Sequence, residues 1–336
     1  MTSGATQPAA AAKNLVLTPV LTLTGHKSAI PSMSYFPDGK RMISGSFDKT
    51  TRQWDLEAGK EIEEARDICD HVHVVEVSKD GRWVATGGGD YMDVKLKVRE
   101  IETGNVRKSE YHSRCIDISA DCTLLASGTE DSTVRIWSLE TGELVAGPFK
   151  SDDTAGALRF SQDSEKLAVK SWRGKHLEVW NVKTQKLNVR VGKIGGVGIT
   201  SAPVFWTTKD KTIIAAISFT GDCPKAIYEF EPTTLMTVGI PFQGHTCVIN
   251  SLTLSHDCAL LASASDDHTI RLWAFESRQL LASFDVPCPL NIILTPDSRQ
   301  IAYTTLLDHN IYLCNIPPGI LASIRLARQS PRVPRT

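Results

Sequence analysis

Apolar and polar residues alternate with a period of two along most of the chain. The runs are short and are broken by Gly, Asp, Ser or Pro, and no long stretch keeps a helical period. The run from Gly244 to Trp273 shows the pattern best. Val248, Asn250, Leu252 and Leu254 alternate, and a turn follows at Ser255-His256-Asp257. A second apolar run, Leu260-Leu261-Ala262, ends at Ser263. Asp266-Asp267 makes another turn, and Ile270 to Trp273 closes the unit. Three short strands joined by tight turns predict an antiparallel meander. The unit must place His245, Ser263, Asp267 and Trp273 together. A turn aspartate can accept from imidazole, and a serine hydroxyl can link imidazole to the indole N–H. Polar groups that a packed sheet would otherwise leave unpaired are then satisfied.

The same offsets recur. One copy has Gly25-His26, then Ser44, Asp48 and Trp54-Asp55; another has Ser127, Asp131 and Trp137 without a leading Gly-His. Marking each unit by its closing position gives Trp54, Arg99, Trp137, Trp180, Tyr228, Trp273 and Cys314. Their spacing is close to the ~40–45 residues of one four-stranded propeller blade. Seven units are predicted. The second has a Lys79-Asp80-Gly81 turn and a glycine run, Gly87 to Gly89. The fourth keeps Trp180-Asn181 but has Arg173-Gly174 where the aspartate belongs. The fifth keeps Ser218, Asp222 and Tyr228 at the right offsets, and the seventh has Thr304 and Asp308 ahead of Cys314.

Leu15 to Leu23 reads as a strand with no partner before it, and the seventh unit ends near Ile316 with only three strands. The N-terminal strand is expected to complete that last blade, which removes an exposed sheet edge. The fold class is therefore all-β: a seven-bladed β-propeller of four-stranded antiparallel blades over residues 14–316. Residues 1–13 lack periodicity and read as a disordered tail. Residues 317–336 read as a basic flexible tail, in which Leu321 to Leu326 offers a turn of helix.

Gly-His near the start of a unit and Trp-Asp near its end, with serine four residues before the aspartate and tryptophan six after, resembles the Trp-Asp (WD) repeat family. The resemblance covers residues from about 15 to 316. It implies a non-catalytic scaffold that assembles other proteins through the rim and faces of a rigid disc. It also raises a narrower alternative, a substrate receptor of a cullin-type ubiquitin ligase. Some family members dock an adaptor through Asp…Arg-x-Trp-Asp-x-Arg. Asp48, Arg52, Trp54 and Asp55 match, but Glu57 reverses the last charge.

Composition narrows the partners. The chain has 336 residues, 41% hydrophobic and 22% charged, which suits a large folded core. With 37 basic and 38 acidic residues it offers no strong attraction to nucleic acid or to an anionic membrane. Eight scattered cysteines without a C-x-x-C pair fit buried reduced thiols and a cytoplasmic or nuclear location. No secretory signal is read at the N-terminus, and no run approaches the ~20 apolar residues of a membrane span.

Catalytic and cofactor sites find little support. His26/Ser44/Asp48 and His245/Ser263/Asp267 have the residue types of a hydrolase triad, which keeps a propeller-fold enzyme as an alternative. Each serine lies mid-strand, however, and the set recurs with tryptophan, which favours architecture over a strained nucleophile turn. His71 and His73 share one strand face without a third zinc ligand nearby. Gly192, Gly195, Gly196 and Gly198 do not make a phosphate-binding loop. No cofactor or metal is expected. The expected partners are proteins or peptides, met by a monomeric propeller within a larger complex.

The candidate docking site is one rim of the central channel. The residue before each turn aspartate should point there: Phe47, Glu130, Arg173, Asp266 and Leu307. The start of each innermost strand adds Pro31, His73, Arg114, Gly156, Asn250 and Leu290. This mixture of aromatic, apolar and oppositely charged groups suits a protein or peptide better than phosphates. Phe47 stands out as an anchor; the alternative is that it packs against its own blade.

Overall fold

The computed structural model describes residues 14–67, 71–89, 96–109, 113–192, 199–220 and 222–329. Within them seven small sheets follow one another around a central channel. Blade one is typical: Ser32–Tyr35 lines the channel, then Arg41–Gly45, Thr50–Asp55 and Lys60–Asp67 step outward, each antiparallel to the last. The channel end at which each innermost strand starts is called the top here; the first hairpin turn of every blade lies at the bottom.

Position within the blade decides burial. The second strand has a neighbouring blade over each face, so Trp83–Gly88 and Leu260–Ser265 are buried at every residue. The outermost strand has only one covered face, and Lys186–Gly192 alternates between exposed and half-buried. The core is correspondingly divided into clusters of side chains, several of which join adjacent blades. The innermost strands also bond across the seams. Ser32 Oγ accepts from Val75 N (3.0 Å), Ser251 Oγ from Ile292 N (3.1 Å) and Asp117 Oδ2 from Phe160 N (2.6 Å), satisfying N–H groups that the next blade cannot pair internally.

The ring closes through the N-terminus. Pro19–Leu23 pairs antiparallel with Ile311–Asn315 and supplies the outer strand of blade seven. Just before it, Asn14–Leu15 runs parallel to Leu280–Asp285 and adds a fifth strand to blade six. Thr304 Oγ1 and Asn291 Nδ2 donate to the carbonyls of Ile30 and Pro31, joining blade seven to blade one.

One blade meets the expected plan irregularly, and one expectation changes. Blade five forms a ladder of only three strands, Phe205–Trp206, Ile213–Ala216 and Ile227–Phe230. The fourth place is taken by a segment paired through the bridges Phe230 to Thr237 and Ile227 to Phe242. Gly239, at φ +66°, bends this segment away from the ladder between its two contacts. After Ile316 the chain continues as a helix, Pro318–Gln329, where the sequence predicts a flexible tail. Pro318 suits a first helical turn. Ile320 and Ile324 sink into the cluster shared by blades six and seven, beside Leu17 of the N-terminal strap. Residues 1–13 and 330–336 lie outside the described residues.

Because both chain ends meet in that cluster, the helix should stabilise ring closure. Ile324→Ala is expected to lower unfolding stability by about 2 kcal/mol. Urea denaturation checks this, and a midpoint equal to that of the parent would mean that the helix is not docked.

Candidate docking face around the central channel

Blades one and six contain the same hydrogen-bonded chain. Trp54 Nε1 donates to Ser44 Oγ (2.8 Å), Ser44 Oγ lies 2.8 Å from His26 Nε2, and His26 Nδ1 lies 2.8 Å from Asp48 Oδ2. The equivalents are Trp273 to Ser263 at 2.9 Å, Ser263 to His245 at 2.7 Å and His245 to Asp267 at 2.8 Å. Chemistry fixes the direction. An indole N–H can only donate, so the serine oxygen accepts it and turns its own proton to Nε2, leaving Nδ1–H for the carboxylate. Burial holds His26 and His245 below the ordinary imidazole range, against the pull of their aspartates. Burial opposes ionisation of Asp48, but bonds from Thr50, the Lys27 amide and His26 outweigh it and bring the carboxyl down to about 2. Ser44 and Ser263 are fully buried, so neither hydroxyl can meet a substrate.

The other blades solve the same problem differently. In blade three Trp137 donates to Ser127 (2.9 Å), but Arg135 rather than a histidine reaches Asp131 (3.2 Å). In blade four Trp180 Nε1 turns to Glu178 on its own strand (2.8 Å), and Arg190 Nε caps that buried carboxylate (2.8 Å). Nothing in the repeat spacing pointed to Glu178; the signal was a carboxylate two residues before the tryptophan. In blade seven Tyr312 donates to Asp308 (2.9 Å). Thr304 stands one place off the serine position, which Tyr303 holds opposite Tyr312, because this hairpin is one residue longer. Among the described residues blade five has no such network. Phe230 pairs with Ile213 and fills the tryptophan place, whereas the offsets had assigned Tyr228. The lengthened hairpin between Ala216 and Ile227 shifts Ser218 and Asp222 into the top loop.

The channel encloses about 440 Å³. Pro31, His73, Arg114, Gly156, Asn250 and Leu290 all line it. Two residues of the expected ring are corrected. Trp172, and not Arg173, reaches the channel in blade four, because the chain turns one residue earlier and Gly174 takes the left-handed position (φ +59°). Leu307 lies off the channel on the longer hairpin, 68% exposed beside Leu306. Glu130 and Asp266 stand behind the wall and hold wall residues: Arg114 Nε donates to Glu130 (2.7 Å), and Asn250 Nδ2 donates to Asp266. The Arg114 guanidinium also lies 4.4 Å from the Trp172 ring centroid. Phe47 is half-buried. Its ring meets those of His73 (5.3 Å) and His71 (5.7 Å) edge-on, so it packs on the next blade.

Deeper in the channel, Glu76, Asp117 and Arg159 come from three consecutive blades at one level. Arg159 lies 2.7 Å from Asp117 and 3.6 Å from Glu76. Burial pushes the Glu76 carboxyl up to about 7, Arg159 opposes this, and the charge of Asp117 adds to it. No motif or spacing in the sequence marks this trio.

The two faces differ. At the bottom, the first hairpin turns of blades two, four, six and seven repeat one design, a hydroxyl donating to an aspartate two residues on: Ser78 to Asp80, Ser161 to Asp163, Ser255 to Asp257 and Thr295 to Asp297, all within 2.7 Å. No large apolar side chain in those turns is exposed among the described residues. The top loops expose Ile199, Phe219, Leu306 and Leu307. Among the described residues no three His, Cys, Asp or Glu side chains gather as a metal site, and no helix is long and apolar enough to cross a membrane.

Comparison with known proteins agrees with this geometry. The family model described as "WD domain, G-beta repeat" matches residues 17–55, 105–138 and 235–274. Among curated proteins, eukaryotic translation initiation factor 3 subunit I of Bombyx mori is 27% identical over 58% of this chain and 57% of its own length. Periodic tryptophan protein 2 of Arabidopsis thaliana is 27% identical over 76% of this chain and 29% of its own. A guanine nucleotide-binding protein subunit beta of Solanum tuberosum is 31% identical over 35% and 34%. The chain thus spans from under a third to just over half the length of these relatives. A closed ring of seven antiparallel blades, carrying the Trp-Ser-His-Asp chain in blades one and six, defines a β-propeller built from a degenerate repeat. The chain carries WD repeats at three places within a seven-bladed propeller, and in this it is similar to the WD-repeat proteins.

Asp267→Ala leaves His245 Nδ1 and the Thr246 and Thr269 amides without their acceptor. It should lower stability at pH 7 by about 1–3 kcal/mol. The aspartate is held below its unfolded range. Its contribution is therefore full above an unfolded carboxyl pKa near ~4 and is lost as the pH falls through the lower folded value. Urea unfolding at pH 7 and near pH 2 should show the gap from the parent narrowing in acid. A constant gap would assign the loss to something other than the ionised carboxylate.

Proposed function

We propose that the protein is a non-catalytic interaction scaffold that binds a protein or peptide at the top mouth of its channel. The single observation that carries this reading is the difference between the faces. The top gathers Phe47, Trp172, Leu290 and Pro31 at the channel, with Leu306, Leu307, Ile199 and Phe219 exposed around them, whereas the turns around the bottom of the channel are mostly self-satisfied and polar, and exposed apolar groups of that face, such as Leu144 and Met236, stand on outer hairpins. Aromatic and apolar groups interleaved with a held arginine make the composition of an interface centre. The names of the matched relatives lend support, since two of them are called subunits. We place the protein in the cytoplasm or nucleus, a reading supported by seven described cysteines that are all unpaired.

The ligase-receptor alternative gains no support from the geometry. Arg52 Nη1 is turned to Glu61 Oε2 (2.5 Å) and is largely covered, and Glu57 pairs with Lys40 at the surface (2.9 Å).

Affinity purification of the full chain beside a Phe47→Ala, Arg114→Glu variant tests the reading. The parent should retain a partner that the variant loses, with the melting temperature of the variant within a few degrees. A partner kept by the variant would move the site away from the top mouth.

A further inference from the structure

At the seam between blades four and five a lysine is buried whole. Lys170 lies in Lys166–Ser171, paired with Ala157 on one side and Leu177 on the other, and has no exposed surface. The same register position holds Gly45, Gly87, Gly128, Ala216, Ala264 and Thr304 in the other blades. Small residues are required there because the side chain points into the following blade. A Cβ on Gly45 would stand 2.4 Å from Val72, and one on Gly128 would stand 2.7 Å from Ala155. Blade four departs from this rule because its neighbour makes room. Blade five's innermost ladder strand is only Phe205–Trp206, and the chain ahead of it presents the small side chain of Thr200.

An ammonium carries three donors. Among the described residues, Lys170 Nζ finds one side-chain acceptor, Thr200 Oγ1 at 3.5 Å, and that oxygen already accepts from the Ala202 amide (3.2 Å) while donating to Ile249 O (2.6 Å). Among the described residues no carboxylate faces it. Blade five and blade six contribute Thr200, Ala202 and Ile249 here, none of which titrates. Among the described residues the one titratable group in electrostatic range is the Cys115 thiol of blade three, which burial pushes up to about 12 and so keeps neutral. Burial of the amine in turn brings it down to about 7. A neutral amine needs one or two weak partners, which this pocket supplies. A charged one needs water, which only an opened seam supplies.

We propose that Lys170 makes the seam between blades four and five pH-sensitive: it closes around the neutral amine and is loosest when the amine is protonated. The part of the ring that yields carries Trp172 on one side and Ser201 and Pro203 on the other, all at the channel mouth. The inference stands without the docking reading, since it concerns the seam alone.

The sign follows from proton uptake. Opening exposes the amine and returns it to the ordinary lysine range near ~10.4, so between about pH 7 and 10 the open seam binds a proton that the closed seam does not. Opening therefore becomes harder as pH rises through that window, by up to about tenfold per pH unit.

Hydrogen–deuterium exchange of the full chain at pH 7, 8 and 9, corrected for intrinsic base catalysis, tests this in the parent and in Lys170→Met. In the parent, protection of residues 155–171 and 199–217 should rise by up to about tenfold per unit while blades one and seven stay level. In the variant all blades should stay level. A slope shared by every blade, or one that survives in Lys170→Met, would overturn the proposal. Should the variant fail to fold, the comparison among the parent's own blades still decides, because an even response removes the seam from special status.

Discussion

A propeller blade has its neighbours on both faces, so a polar atom in the middle of its second or third strand has no route to water. That constraint explains why Trp54 and Trp273 do not simply sit in the core as large apolar groups. Each carries an N–H that must find an acceptor inside the sheet stack, and the acceptor must in turn be satisfied. A serine alone would leave its own proton unplaced. Serine, imidazole and a turn aspartate together carry the chain of donors out to the edge of the blade, where the carboxylate also ties down two backbone amides. The aspartate thereby couples side-chain burial to the shape of the turn that exposes the docking residues.

Each blade that lacks the histidine still meets the requirement by another route. Glu178 receives Trp180 directly, and Arg190 balances the charge this buries. Arg135 replaces imidazole beside Asp131. Phe230 removes the need by having no N–H at all. Lys170 is the exception among these buried polar groups, because its donors outnumber the acceptors within reach.

Most of the ring was legible in the sequence because the network leaves a spaced signature. Trp54, Trp137, Trp180 and Trp273 occupy equivalent register positions, and Leu15 to Leu23 declared itself by having no hairpin partner. Blade five misled because fixed offsets assume fixed hairpin lengths. Its long top hairpin moved the register by two, so Ser218, Asp222 and Tyr228 matched the spacing without matching the places. The same assumption put Arg173 where Trp172 stands and Leu307 on a channel wall it does not reach. Glu76, Asp117 and Arg159 could not be read, because their meeting depends on three strands from three blades sharing one level. The closing helix was hidden behind two prolines and four arginines, a composition that reads as tail until Ile320 and Ile324 are seen to have a cluster to enter.

The top rim is chemically varied because the network leaves its residues free. In the regular blades the turn aspartate is held by backbone amides, and the residue immediately before it is bound by none of those demands. Phe47, Glu130 and Asp266 occupy that one place in blades one, three and six, while Trp172 holds its register equivalent in blade four. They are aromatic, acidic, acidic and aromatic. The bottom turns have no such freedom. Their hydroxyl and aspartate are both consumed in holding a residue of left-handed backbone, such as Gly81, Ser164 or Cys258, and the outcome is nearly the same in each. Variation in one ring and repetition in the other follow from which side chains the hairpins need for themselves. A surface whose members can vary from blade to blade is the one available for recognition.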